Sequence, residues 1–459
     1  MSTFEPPSPR ARAQHERWLL EITQIPTAAG REFRVERWIE AWAKDRPAAR
    51  LTRDACGNMV LRLAPGSKRG KGADARPLWI TAHLDHPAFV VERIVAPGVL
   101  EVSFRGGVMD EYFREARIEV FDAHGTPHAG TITGETSGTP PAGAPPAIVK
   151  GAASPFKHYL VELDGDDETA HANIAVGDVG RWLLERAQII DGLIHTDACD
   201  DLAAVAAALS AFDVLIERRK TLTREVCLLF TLAEEIGFVG AIGACRARTV
   251  PTNARVINLE NSRSFAESPI GGGPIVRVGD RISVFSPTLT DAVARRAEEI
   301  AGGPSTPTAA QKNSDVPAWK WQRKLMAGGA CESSVFVNAG YESTCVCLPL
   351  GNYHNMANLA EVQAGTFQGL PRVAREFVSV ADYHNMVDLL IACGERLPAG
   401  GSLDERLEKL WNERSFVLPA RPGRGKKTAK PSARKPATKS PARKTGTKAR
   451  TAARSGGKK

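Results

Sequence analysis

Four stretches of this 459-residue chain share one pattern, an apolar, strand-like run that stops at a side chain able to hold a metal. Trp79-Ile80-Thr81-Ala82 ends in His83-Leu84-Asp85. Cys227–Leu232 ends, past Ala233, in Glu234-Glu235. Val256–Leu259 ends in Glu260, and Thr344–Leu348 is followed by His354. A fifth piece, Cys199-Asp200-Asp201, stands just before an Ala-rich stretch. Imidazole nitrogen and carboxylate oxygen are donors that zinc takes, and a catalytic site keeps one position open for water. Two metals about 3.5–4 Å apart need a shared carboxylate and further ligands on each side. His83, Asp200, Glu235, Glu260 and His354 supply such a set, with Asp200 suited to the bridge. Glu234 is left over beside a ligand, where it can take a proton from the attacking water and return it to a leaving amine. Asp85, just beyond His83, can hold that imidazole and raise its basicity.

Each piece also has a plainer reading. His-x-Asp at a strand end can be a structural polar pair. Glu-Glu at a helix start complements the helix dipole, and Asp200-Asp201 can be an N-cap. What joins them is architecture. In open α/β sheets the ligand site lies outside the carboxyl ends of the strands, so ends far apart in sequence converge there.

The elements that must do this positioning are legible as patterns. Glu16–Ala43 reads as helix, turn, helix around Pro26–Gly30. Residues 65–76 form a charged, Gly-rich loop. From 91 to 183 short β-like runs alternate with Gly and Pro turns, and no helix of useful length is expected before about Arg181. That segment predicts an all-β insertion, a small barrel. From Asp191 to about Phe416 strands and helices alternate, with a helix over Asp201–Arg219 and buried strands at Val226–Thr231 and Val256–Leu259. The expected fold is α/β with a mostly parallel sheet. A catalytic domain would comprise 16–90 and 184–416, the β insertion 91–183, and a disordered tail 419–459.

Charge divides the chain the same way. There are 60 Lys and Arg against 52 Asp and Glu, but residues 421–459 hold fifteen of the cations and no acid. The rest is mildly acidic, which excludes a globally basic nucleic-acid binder. The tail has no aromatic residue, so any nucleic-acid binding through it must be phosphate-driven and non-specific. Its 435–444 stretch resembles the basic arms of linker-histone-like proteins. The plainer alternative is a solvated extension. The eight Cys form no CxxC pair and fall mostly in apolar runs, as small buried hydrophobes do. The first residues lack the apolar core of a secretory signal, and no run approaches the length of a membrane span. A cytoplasmic protein without a membrane partner is expected.

The order of motifs resembles the tetrahedral aminopeptidase family, also called deblocking or glutamyl/leucyl aminopeptidases, within the co-catalytic zinc exopeptidases. The resemblance runs over about 17–395. It rests on Ile25–Glu32, Asp54–Asn58, His83-Leu84-Asp85-His86-Pro87-Ala88-Phe89-Val90, Ala198–Asp201, Thr231–Gly237 and Gly328–Ser333. It implies the same assignments: metal ligands His83, Asp200, Glu235, Glu260 and His354, with Glu234 and Asp85 catalytic. It further implies two divalent metals (zinc, with cobalt or manganese as alternatives), peptide substrates, and a homo-oligomer assembled partly through the β insertion. The chain departs from the family where Leu202-Ala203 follow Asp201, where Glu260 stands for Asp, and at Cys331-Glu332. After His354 the expected Ser/Thr-Pro-x-Glu is absent, and about twenty residues intervene before Glu376–Asp382. His384, in an echo of the His354 segment, is therefore a rival last ligand. Two other readings stay open: a zinc amidohydrolase of the same clan, carboxypeptidase-like or deacylating, and a nucleic-acid-associated protein acting through its tail.

Overall fold

The apolar runs that stop at metal-capable residues are strands lying side by side. The computed structural model describes residues 4–66, 76–138, 154–165, 171–305, 319–398 and 402–418. In it Val226–Thr231, Leu78–His83, Arg255–Arg263 and Glu342–Leu350 are neighbours in that order, joined by parallel ladders. Thr231 is level with His83, and Glu260 with Cys347. Their carboxyl ends therefore share one edge. Val226–Thr231 and Leu78–His83 are buried throughout, which is why they read as unbroken apolar runs.

A hairpin, Ala49–Arg53 and Met59–Leu63, extends the sheet antiparallel to Val226–Thr231. On the other side Ile275–Gly279 runs antiparallel to Glu342–Leu350 and carries Gln322–Leu325 at the edge. The result is an α/β fold on a mostly parallel eight-stranded sheet. Helix Leu202–Glu217 packs Leu202, Val205, Leu209 and Phe212 with the Leu228, Phe230 and Ile80 face. Ala241 and Ala244 of helix Val239–Ala247 and Phe336 of helix Glu332–Asn338 pack with Trp79, Cys227 and Val256 on the other.

The β-rich stretch forms a closed six-stranded barrel from Ala88–Ala96 to Val179–Trp182. Its interior is aromatic: Phe89, Phe104, Phe113 and Trp182 meet edge-on or tilted at 4.8–6.2 Å, and Phe113 stacks on Tyr159 at 4.5 Å. Such geometries suit the ring quadrupole. A small antiparallel sheet of Gln188–Ile190, Leu193–Thr196 and Glu376–Ser379 sets Glu376 opposite Thr196.

Several boundaries differ from the sequence reading. The first helix starts at Pro9, earlier than Glu16, because Ser8 caps it and Pro9 suits its first turn. Arg181 lies in the last barrel strand, and the next helix is Leu202–Glu217. Glu260 sits inside its strand, which continues to Arg263, since its neighbour Glu342–Leu350 continues pairing beside it. Packing groups residues up to Arg406, barrel included, in one unit and those from Leu407 onward in another. The tail 419–459 and residues 67–75 of the Gly-rich loop lie outside the described residues. Among the described residues no helix is long and apolar enough to cross a membrane.

Candidate metal centre

The shared sheet edge gathers the candidate ligands as the strand ends require. His83 is the last residue of its strand. Its Nε2 lies 3.5 Å from Asp200 Oδ1, 3.9 Å from Glu234 Oε2 and 4.0 Å from Glu260 Oε2. His354 Nε2 lies 3.5 Å from Asp200 Oδ2 and 3.5 Å from Glu235 Oε1. Asp200 thus offers one oxygen to each imidazole. Donor atoms of His83, Asp200, Asp201 and Glu260 lie within 4.8 Å of one another, as do those of Asp200, Glu235 and His354. His384 stands elsewhere, in helix Val380–Glu395, with Nε2 2.8 Å from Glu16 Oε1.

Each imidazole is oriented through its other nitrogen. His83 Nδ1 donates to the Asp85 carbonyl at 3.1 Å, and His354 Nδ1 to the Gly107 carbonyl at 2.6 Å. Both Nε2 atoms are left facing the carboxylates. The Asp85 side chain does something sequence spacing could not show. Its Oδ1 accepts the Glu234 N–H at 2.9 Å and its Oδ2 the Glu235 N–H at 3.0 Å. Glu32 accepts the Ala233 N–H and Asn58 the Leu232 N–H. The turn carrying Glu234 and Glu235 is therefore held at every residue, with Ala233 at a left-handed φ of 53°. No helix starts there; the next begins at Val239. The dipole reading of Glu-Glu is not realised.

The N-cap reading of Asp200-Asp201 is not realised either. Asp201 precedes helix Leu202–Glu217 but makes no capping bond with its side chain. It accepts instead from Asn261 Nδ2 at 2.8 Å and from the His83 N–H at 3.3 Å. Glu376, to which sequence reasoning gave no role, ties the two halves together. Its Oε2 accepts the Cys199 and Asp200 N–H groups at 2.7 and 3.0 Å, and its Oε1 the His354 N–H at 2.7 Å.

Electrostatics make this edge short of positive charge. Burial pushes the Glu234, Glu235 and Glu260 carboxyls well up, and neighbouring carboxylates add to it. Burial likewise raises Glu332 to about 7, and Glu376 to about 8 with Asp200 adding. Burial would raise Asp200 too, but the His354 and His83 imidazoles facing it hold it low. Asp200 Oδ1, Glu235 Oε1 and Glu260 Oε1 are buried with no hydrogen-bond partner. Such oxygens are costly unless a cation meets them, and the imidazole–carboxylate donor set suits zinc or a similar divalent ion. The residues present fit a metal.

One further buried group was given no role from the sequence. Arg277, on strand Ile275–Gly279 opposite Cys345, is 2% exposed. Its guanidinium reaches Ser262 Oγ at 3.2 Å, its Nε has no partner, and among the described residues no carboxylate ion-pairs with it. Its only sequence signal was an arginine inside an apolar run.

Comparison with curated proteins by sequence finds no match. Solved structures do resemble the fold. An aminopeptidase from the archaeon Desulfurococcus kamchatkensis superposes with a TM-score of 0.62 at 19% identity, covering 84% of this chain and 95% of its own. A TET aminopeptidase from Thaumarchaeota archaeon SCGC AB-539-E09 gives 0.61 at 19%, covering 84% and 97%. The TET1 peptidase of Pyrococcus horikoshii, which assembles into a tetrahedron or an octahedral shell, gives 0.59 at 20%, covering 83% and 99%. The sequence itself matches the family model of M42 glutamyl aminopeptidase over residues 66–365, and the chain belongs to that family.

Proposed function

We propose that the protein is a dinuclear metallo-aminopeptidase that removes N-terminal residues from peptides. The observation that carries the reading is Asp200, whose two oxygens face two imidazoles at 3.5 Å. His83 and Glu260 would hold one ion, Glu235 and His354 the other, and Asp200 both. Bound divalent ions, zinc by donor chemistry, supply positive charge that acidifies water and polarises the scissile carbonyl. Glu234 takes the proton of the attacking water on its carboxylate and delivers it to the leaving amine. Burial raises its affinity for that proton, which suits a group that must accept and release one near neutral pH. Asp85 keeps Glu234 in place through the backbone.

Arg277 supports a preference for an acidic first residue. It is a buried guanidinium without an ion pair, close enough to Glu260 to feel its charge, and the family model carries a glutamyl name. A substrate carboxylate would pair with it. A panel of aminoacyl anilides tests both points. Glutamyl and aspartyl anilides should be cleaved fastest, and Arg277→Met should erase the preference while sparing turnover of the leucyl anilide. Cleavage of N-acyl amino acids instead of free-amine substrates would favour the amidohydrolase reading. Assembly into a homo-oligomer, partly through the barrel, is proposed with it. A monomeric mass by light scattering at micromolar concentration would contradict that part.

A further inference from the structure

Two histidines away from the sheet edge face one another at the rim of the barrel. His128 stands on strand Pro127–Thr136, opposite Val120 of strand Arg117–Phe121, and His171 lies on a turn ahead of strand Val179–Trp182. Their Nδ1 atoms are 3.2 Å apart. His128 Nε2 lies 3.3 Å from Asp122 Oδ2, and His171 Nε2 lies 3.1 Å from the Asp164 carbonyl. A carboxylate and a carbonyl only accept, so each Nε2 carries a hydrogen and donates it. Each neutral ring then keeps its lone pair on Nδ1, and the two lone pairs meet across 3.2 Å. They repel unless a cation lies between them. Neither outer partner is free to turn away. Asp122 Oδ1 accepts the His124 and Thr126 N–H groups at 2.9 Å each, and the Asp164 N–H donates to the Ala129 carbonyl at 2.8 Å.

We infer that His128 and His171 hold a divalent transition-metal ion of the zinc class through Nδ1, at a site that shares no residue with the sheet edge. Zinc–nitrogen bonds of about 2.0–2.1 Å at a tetrahedral angle set two imidazole nitrogens about 3.3 Å apart and the ring centroids about 5 Å apart. The two centroids here are 5.3 Å apart, with the ring planes at 70°. Asp122 behind His128 is the kind of carboxylate that fixes the tautomer of a metal-bound imidazole and raises its basicity. Imidazole donors suit zinc, nickel or copper, whereas magnesium and calcium take oxygen. The Asp164 carboxylate is engaged by Arg117, so water fills the remaining positions, and half-buried His171 leaves it a path. A shared proton would also part the lone pairs, but it would make one ring an imidazolium, and neutral imidazole is the ordinary form at neutral pH. With two protein ligands the site is weaker than the sheet edge. Its ion ties the turn of His171 to the strand of His128 and takes no part in hydrolysis.

The test is equilibrium dialysis of the full chain against rising zinc, with bound metal counted by elemental analysis. The unsubstituted chain should bind one equivalent more than His171→Gln or His128→Gln, taken up last, with the same peptidase activity in every form. The readout is that difference, so it stands whatever number of ions the sheet edge holds. His171 is on a turn, so its variant tests the site even where His128→Gln disturbs the strand. Zinc should also raise the melting temperature of the unsubstituted chain further than that of His171→Gln, since the ion binds only the folded barrel. Equal metal content in the unsubstituted chain and in His171→Gln would overturn the inference. So would a hydrogen shared between the two rings, seen by nitrogen NMR, that added zinc does not displace.

Discussion

The barrel and the sheet edge treat buried charge in opposite ways. In the barrel, Glu101 is bound by Arg93 at 2.6 Å, Glu119 by Arg181 at 2.8 Å, and Asp122 accepts two backbone N–H groups and faces His128. Protein groups satisfy its acids, and its centre is the Phe89–Phe104–Phe113–Trp182 cluster. At the sheet edge, Asp200, Glu235 and Glu260 each keep a buried oxygen without a partner. The acids of one region are satisfied by folding. The other region is held rigid by Asp85, Glu32, Asn58 and Glu376 yet left with buried carboxylate oxygens that no hydrogen bond satisfies and that a bound cation would meet. Local stability and chemistry are thus assigned to different parts of the fold.

Substitutions should break the two regions differently. The largest effect is expected from Asp200→Ala. It should reduce metal content at both positions and take activity to background, while the metal-free protein melts lower than the unsubstituted metal-free form, because His83 and His354 lose the carboxylate that faces both. Elemental analysis and calorimetry check both halves. Glu234→Gln should lower kcat by roughly 10²–10⁴-fold with both metals retained. Metal loss in that variant would show that Glu234 is a ligand. Trp182→Ala should cost about 3–5 kcal/mol in denaturant unfolding and leave metal content per folded chain unchanged. The last effect is a pH dependence of the metal-free protein. Glu32, Glu332 and Glu376 are raised from about 4.5 to about 7, 7 and 8, so the native state binds more protons than the unfolded one. Their contribution is whole below about pH 4.5 and is lost as pH rises through about 8. Metal loading should flatten that slope, and thermal melts across the range with and without metal would measure it.

How much of this was legible depends on the range of the interaction. The four strand ends could be read because a strand buried on both faces is an apolar run, and a polar residue that stops it stands out. Val226–Thr231 came out with its observed bounds for that reason. The barrel was readable from its spacing of turns. Glu260 was placed past its strand because a buried glutamate looks like a terminator, whereas a neighbouring ladder carries the strand on to Arg263. Glu376 and the carboxylate of Asp85 were invisible in their roles. All but one of their partners, the His354 N–H, are backbone N–H groups some 150 or more residues away, and no periodicity records them. Arg277 was missed because an isolated arginine in an apolar run has no pattern, and only burial without a counter-ion marks it out.

The central claim is that this edge holds two metals and that they make the protein an aminopeptidase. The direct measurement is titration of the chelated protein with zinc, counting bound equivalents while following hydrolysis of glutamyl anilide. The account predicts no activity in the metal-free protein, two equivalents bound tightly per chain, and activity that returns as they bind. Full activity without metal, or saturation at one equivalent or none, would contradict it.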